Sequence, residues 1–395
     1  MAQRVFLHVG TPKSGTTYLQ SVLWHNADAL KADGLLLPGR FQTHYAAAKG
    51  VTKRSGQRRE TKVAVDEAWS RLVTQVNRWP ADALISHELL APAGREQAMS
   101  AKAGIADAEL HLVLTARALH QQVPASWQEQ VKGGLPMPYE VFLTRVRDES
   151  GKGGWFWEVQ DLIDIARRWG DGIAPERIHV VTVPPDRSDP TLLWRRYAGA
   201  LGLDNASYDV ALPTKNASLG PVESELLRRV HAVRDERFTD PARHRWTRKL
   251  LASEILGQRR GERLRLPDQS ESWLAARTSA MLEGVRDQGY HVVGDLGDLE
   301  WRPTSGPARS ASAVTAAELA EAATWTIVQL RERLMTRKPT STVPGVGSDA
   351  GVMGILELLE HIRAADTGAA ARPAASAGMP PMGRVRAAFR SPFGR

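Results

Sequence analysis

The chain has 395 residues and no cysteine, which excludes disulfides, cysteine nucleophiles and zinc sites built on thiolates. Its net charge of +8 comes from 52 basic and 44 acidic residues, but residues 367–395 hold five arginines and no acid, so the rest of the chain is close to neutral. A basic surplus that is concentrated in one tail argues against a nucleic-acid partner.

The predicted elements alternate between strands and helices. In chain order, we predict a strand at 4–9, helices at 16–30 and 63–78, strands at 83–86 and 111–115, a helix at 155–169, a strand at 177–183, helices at 190–203, 221–237 and 271–288, and a strand at 290–293. Strands that alternate with helices form a parallel sheet with helices on both faces. We therefore expect a three-layer α/β fold.

The composition changes after residue 302, and this predicts a domain boundary. We expect a main domain at 1–302, a linker rich in proline, serine and glycine at 303–315, and two helices within 316–365. Residues 366–395 are rich in alanine, proline and arginine, a composition that favours disorder.

The sequence also bears on location. No apolar run approaches the roughly 18 to 20 residues that cross a bilayer, and Met1–Gly10 lacks the pattern of a signal peptide. We expect a cytoplasmic protein without a transmembrane segment.

The segment Gly10–Thr17, between the first strand and its helix, carries the clearest chemical signal. It has the glycine spacing of a P-loop, but Thr16 stands where a nucleotide hydrolase has its lysine, and the cation is Lys13 instead. The amides of such a turn, the helix N-terminus and the hydroxyls of Thr16 and Thr17 form a cradle for an anion, most naturally a phosphate. No predicted strand ends in the aspartate that would hold magnesium, so we expect no metal.

The residues Lys13–Tyr18 resemble the 5′-phosphosulfate loop of sulfotransferases that use 3′-phosphoadenosine 5′-phosphosulfate (PAPS). The resemblance implies that Lys13 stabilises the charge that develops on the leaving phosphate, and that Tyr18 lies near the adenine. It also implies that the residues between them hold the 5′-phosphate: Ser14, Gly15, Thr16 and Thr17.

A second motif supports this resemblance. Val113–Arg117, followed by Ser126 on a helix, is similar to the strand, arginine and serine that bind the 3′-phosphate in this family, although the interval is one residue longer here. Leu193–Tyr197 and Asn216–Gly220 also resemble family features. The resemblance covers roughly residues 4–301 and implies a P-loop-like sulfotransferase fold, in a bacterial-type member with a C-terminal extension.

The implied activity is transfer of a sulfuryl group from PAPS, the donor co-substrate, to a hydroxyl or amine of a small molecule or glycan. The alternative is a P-loop kinase or nucleotide hydrolase acting on a small molecule, which shares the sheet and the glycine loop. Thr16, in place of lysine, favours the sulfotransferase. A third interpretation is a scaffold that binds an anion only structurally, and the oligomeric state is left open.

Two adjacent residues are candidates for the base that deprotonates the acceptor. His87 and Glu88 follow the strand at 83–86, and parallel sheets place their sites at the carboxyl ends of strands. Neighbours on a strand point to opposite faces, so we expect only one of them to meet the acceptor. A histidine titrates near neutral pH without much tuning, which favours His87 over Glu88, with His44 a distant third.

Overall fold

The computed structural model describes residues 2–52, 59–186, 188–204, 208–212, 218–233, 243–259, 261–302, 308–335 and 351–359. Among them, six parallel strands form one sheet in the order β2-β3-β1-β4-β5-β7, and β6 pairs with β8 in a separate, two-stranded sheet. The strands are β1 Arg4–Gly10, β2 Leu35–Leu36, β3 Asp82–Ser86, β4 Glu109–Ala116, β5 Ile178–Thr182, β6 Arg263–Leu264, β7 His291–Val293 and β8 Ala308–Arg309.

Helices pack on both faces of the large sheet, which confirms the predicted three-layer α/β fold. The helices are α1 Thr16–His25, α2 Ala27–Ala32, α3 Phe41–Val51, α4 Arg59–Arg78, α5 Arg95–Ala103, α6 Leu119–Lys132, α7 Tyr139–Arg147, α8 Lys152–Gln160, α9 Leu162–Trp169, α10 Leu192–Leu201, α11 Pro221–Val233, a π-helix Arg243–Ile255, α12 Glu271–Asp287, α13 Ala316–Met335 and α14 at 351–359.

Strand β1 lies at the centre of the sheet and contributes to the core on both faces. Val5, Leu7 and Val9 are buried in one apolar cluster, and Phe6 is buried in the other. This alternation follows from the two-residue period of a strand. His8 shares the face of Phe6 and is fully buried.

The sheet order determines where a ligand site can form. From β1 the chain runs through β2 to β3 on one side, and β4 pairs with β1 on the other side. Connections that diverge in this way leave a crevice at the carboxyl ends of the strands. The loops after β1, β3 and β4 therefore meet at one edge of the sheet.

Two predicted helices are each divided in the structure. The predicted helix 16–30 breaks at Asn26, whose Nδ2 donates to the carbonyls of Val22 at 2.9 Å and Asp209 at 2.8 Å. The predicted helix 155–169 breaks at Asp161, whose carboxylate accepts from the first-turn amides of α9 at 3.0 Å. In both cases a side chain of the type that caps helices competes with continuation.

The helix α13, beyond the predicted linker, packs against earlier parts of the chain. Its buried Leu319, Ala323 and Leu330 belong to the same apolar cluster as the core of β1. Ion pairs join its Glu321 to Arg259, at 3.2 Å, and its Arg333 to Glu254 of the π-helix, at 2.5 Å. The division of the chain after residue 302 stays a prediction.

Some predicted features lie outside the described residues. They are Asn216, 234–237 of the predicted helix 221–237, 303–307 of the linker, 336–350 and 360–365 of the segment predicted to hold two helices, and the tail 366–395. Among the residues described, no helix combines the length and apolar character that a membrane crossing requires.

Candidate anion and acceptor site

The loop between β1 and α1 has left-handed backbone conformations at two of its residues. Lys13 and Gly15 have positive φ angles of 67° and 85°. A Cβ at Gly15 would lie 2.4 Å from Cδ2 of Leu193 on α10, so glycine satisfies both the angle and the close approach. Because Gly15 is also the N-cap of α1, no side chain caps the first turn, and an uncapped helix start of this kind is suited to an anion.

Buried polar side chains fix this loop to neighbouring elements through hydrogen bonds. The Ser14 hydroxyl donates to the Thr11 carbonyl and lies 2.5 Å from Oγ1 of Thr115 at the end of β4. Gln122 and Gln160 each donate through Nε2 to the Pro12 carbonyl at 2.9 Å. The Ser14 hydroxyl is thus engaged by the loop and by β4.

His8 connects the strands beneath the loop. Its Nδ1 lies 2.8 Å from Oγ of Ser86 and its Nε2 lies 3.4 Å from Oγ1 of Thr115. Burial, with an additional contribution from nearby His87, lowers the pKa of His8 to about 3. His8 is therefore neutral at physiological pH and acts as a fixed bridge between β3 and β4.

Lys13 is the cation of the loop, and its ammonium is paired with a carboxylate. Its Nζ lies 2.5 Å from Oε2 of Glu129 on α6, and Arg248 of the π-helix pairs with the other oxygen of Glu129. Burial alone would raise the pKa of Glu129, but Lys13 and Arg248 together bring it down to about 2. Burial lowers the pKa of neighbouring Lys132, with Glu129 acting in the opposite direction.

The structure brings Arg117 to the loop. Its Nη1 donates to the Lys13 carbonyl at 3.4 Å and its Nε donates to Oε1 of Gln121 at 2.9 Å. Ser126 is buried on α6, on the same face as Gln122 and Glu129, which both bind the loop. Arg117 and this face of α6 therefore lie beside the loop.

The start of α1 follows the loop directly and carries the remaining residues of the motif. Thr16 is buried, Thr17 is exposed, and Tyr18 is half-buried with no hydrogen-bond partner recorded for its hydroxyl among the described residues. Burial raises the pKa of Tyr18, and Asp189 nearby adds to this effect.

The candidates for the base lie at the end of β3, between α1 and α3. The Leu89 amide donates to Nδ1 of His87 at 3.1 Å, so the neutral ring carries its proton on Nε2. That buried nitrogen has no partner among the described residues. Burial lowers the pKa of His87, although Glu88 opposes the effect. A neutral His87 in this tautomer donates a hydrogen bond through Nε2.

Glu88 is more accessible than its neighbour. Its side chain is 24% exposed, against 4% for His87. Its Oε2 accepts from Nε2 of Gln20 on α1 at 3.0 Å, which fixes the carboxylate beside the loop helix. His44 has both ring nitrogens engaged, with the Pro38 carbonyl at 2.6 Å and the Ser86 amide at 3.1 Å, so its geometry suits a structural role.

Sequence reasoning missed several residues of this site, and they share one feature. Each contacts the loop, or interacts with the Glu129 carboxylate that pairs with Lys13, from an element far along the chain. In a single sequence, only the spacing of 122, 126 and 129 along one helical face could have indicated any of them. They are Gln122, Glu129, Lys132, Gln160 and Arg248.

Fold and site together define a parallel α/β protein in which two cations, Lys13 and Arg117, lie at the loop between the first strand and the first helix. No family model matches the chain, and no curated protein matches it significantly. Among solved structures, the chain is similar to a sulfotransferase from Alicyclobacillus acidocaldarius, at 17% sequence identity and a TM-score of 0.38, over 54% of this chain and 87% of that one. Among the described residues, no group of His, Asp or Glu side chains could hold a metal ion.

Proposed function

We propose that this protein is a sulfotransferase that moves a sulfuryl group from PAPS to a hydroxyl or amine of a small molecule or glycan. The observation that carries the proposal is the uncapped start of α1, flanked by Lys13 and Arg117. The amides would hold the 5′-phosphate and Arg117 the 3′-phosphate. Lys13 would stabilise the charge on the leaving oxygen once the donor has bound.

In this reaction the acceptor oxygen or nitrogen forms a bond to sulfur while the bond from sulfur to the phosphate oxygen breaks. The acceptor also loses a proton, and we assign that proton to Glu88. Because the neutral His87 carries its proton on Nε2, it is suited to donate a hydrogen bond to the acceptor or the transferring group. This assignment reverses the preference that the sequence alone suggested.

The first test is ligand binding. Adenosine 3′,5′-bisphosphate should raise the melting temperature, whereas ATP with magnesium should not, because only a ligand that binds the native state stabilises it. The opposite pattern would favour the P-loop kinase or nucleotide hydrolase. Stabilisation by neither ligand would remove the nucleotide site.

The second test is transfer itself. A panel of hydroxyl and amine acceptors with labelled PAPS should identify a sulfated product. With that acceptor, Lys13→Ala should lower turnover by about two to three decades, the usual effect of removing one preorganised stabiliser of transition-state charge. Unchanged turnover in this variant would show that Lys13 is not the leaving-group cation.

A further inference from the structure

Four charged side chains lie together at the loop between β1 and α1. We call them the Lys13 cluster: Lys13, Glu129, Lys132 and Arg248. Glu129 bridges the cluster, because one of its oxygens pairs with Lys13 at 2.5 Å and the other pairs with Arg248. The three paired side chains come from the loop, α6 and the π-helix. Each is about one-third exposed, at 35%, 32% and 37%, so a ligand can reach the cluster from solvent.

The cluster has three cations and one carboxylate. Lys132 interacts electrostatically with the other three members. The net charge of about +2 therefore favours an anion, and a second oxyanion can take the place of the carboxylate at Lys13. Glu129 thus offers the ammonium of Lys13 the same kind of acceptor that a phosphate or sulfate would offer.

We propose that Glu129 is a built-in competitor for the anion site, whose carboxylate must leave Lys13 before any anionic ligand can bind there. The proposal rests on the proposed function for the identity of the natural ligand, a phosphosulfate nucleotide. The cost of breaking the pair is the same for every anion. A small anion that makes few contacts therefore binds weakly, whereas a nucleotide that also engages the loop amides and Arg117 still binds tightly.

The second partner of Glu129 makes this exchange reversible. When Lys13 turns to a ligand, Arg248 still pairs with the carboxylate, and Lys132 lies within electrostatic range. No charge is left unpaired in a desolvated site, which is the situation that makes breaking an ion pair costly. Arg248 therefore keeps the Glu129 carboxylate beside the site whether or not an anion is bound to Lys13.

The test uses inorganic sulfate as the probe, titrated by calorimetry into the full chain at constant ionic strength. Glu129→Gln should lower the dissociation constant for sulfate at least tenfold relative to the wild type. The double variant Lys13→Gln with Glu129→Gln should lose this gain. Asp82→Asn is the matched control, because it also removes one negative charge from an ion pair, that with Arg4, at the end of β3 far from the loop. This control should leave sulfate binding unchanged.

Three results would overturn the proposal: no gain in Glu129→Gln, a gain that persists in the double variant, or an equal gain in Asp82→Asn. Glu129→Ala also removes the carboxylate and repeats the measurement should the glutamine variant unfold. Adenosine 3′,5′-bisphosphate binding to the wild type tests the proposed function separately. If sulfate behaves as expected but this nucleotide does not bind, the competitor stands and the assignment of the donor falls.

Discussion

The buried histidine beneath the loop predicts a measurable loss of stability in acid. Burial lowers the pKa of His8 from its ordinary value of 6.5 to about 3 in the folded protein. Because the folded pKa lies below the unfolded one, the unfolded state binds more protons at acid pH. The contribution of His8 to stability is therefore complete above about pH 6.5 and is lost as the pH falls towards 3.

The size of this effect follows from the same values. At pH 5.0 the unfolded histidine is almost fully protonated, whereas the folded one is almost fully neutral. Below pH 6.5, each pH unit lowers the free energy of unfolding by about 1.36 kcal/mol. Going from pH 7.5 to 5.0 crosses roughly 1.5 such units, so the protein should lose about 2 kcal/mol of stability through His8. His8 is fully buried, so solvent does not screen this difference.

The assay is urea unfolding, followed by tryptophan fluorescence at pH 7.5 and 5.0 and at fixed ionic strength. Glutamine can donate and accept hydrogen bonds as the neutral histidine does, but it does not titrate. His8→Gln should therefore lose about 2 kcal/mol less than the wild type between the two pH values, whatever its stability at pH 7.5.

Tyr197→Phe is the matched control for this experiment. The ring of Tyr197 packs edge-on against His8, with the ring centroids 4.9 Å apart, and it does not titrate in this range. The control should keep the pH dependence of the wild type. If His8→Gln also keeps it, His8 is not the group that takes up a proton on unfolding, and the reasoning from its burial is refuted.

Three further predictions concern the loop and the two sides of the site. Gly15→Ala should lower the free energy of unfolding by about 1 to 3 kcal/mol, because alanine disfavours the left-handed φ and its Cβ would press against Leu193 on α10. Gly172 has a similar φ of 79° but no neighbouring atom near its Cβ position, so Gly172→Ala measures the cost of the left-handed conformation alone. If both variants lose the same free energy in urea unfolding, the contact with α10 costs nothing. Arg117→Ala should abolish the preference for adenosine 3′,5′-bisphosphate over adenosine 5′-monophosphate in calorimetry, and a preserved preference would place the 3′-phosphate elsewhere. Glu88→Gln should lower turnover by about two to four decades, with a smaller loss for His87→Asn, and the reverse order would restore the histidine as base.

The sequence predicted the elements whose local signals are strong. The run of apolar residues at β1, the glycines of the loop and the start of α1 at Thr16 all lie within a few residues of one another, and each has a local physical cause. The helix α6 was predicted only as the helix that carries Ser126, without bounds, because it has Pro124 in its interior. Helices α3, α5 and α7 were not predicted.

The candidate site was predicted only in part, for a related reason. Lys13 could be chosen from the loop motif, but its partner Glu129 lies 116 residues away, and Arg248 lies a further 119 residues beyond. Pairing over such distances follows from the packing of α6 and the π-helix against the loop, which one sequence does not reveal. The tautomer of His87 likewise depends on one backbone amide, that of Leu89, whose direction is known only once the chain is folded.

The lengths of the two outer strands affect how copies of this protein can associate. The sheet ends in β2, which has two residues, and in β7, which has three, whereas β1 and β4 at its centre have seven and eight. An outer strand this short offers a neighbouring chain very few unpaired backbone groups. Growth of the sheet from one molecule into the next is therefore disfavoured, and contacts between copies in a crowded solution would have to form through surfaces other than these two edges.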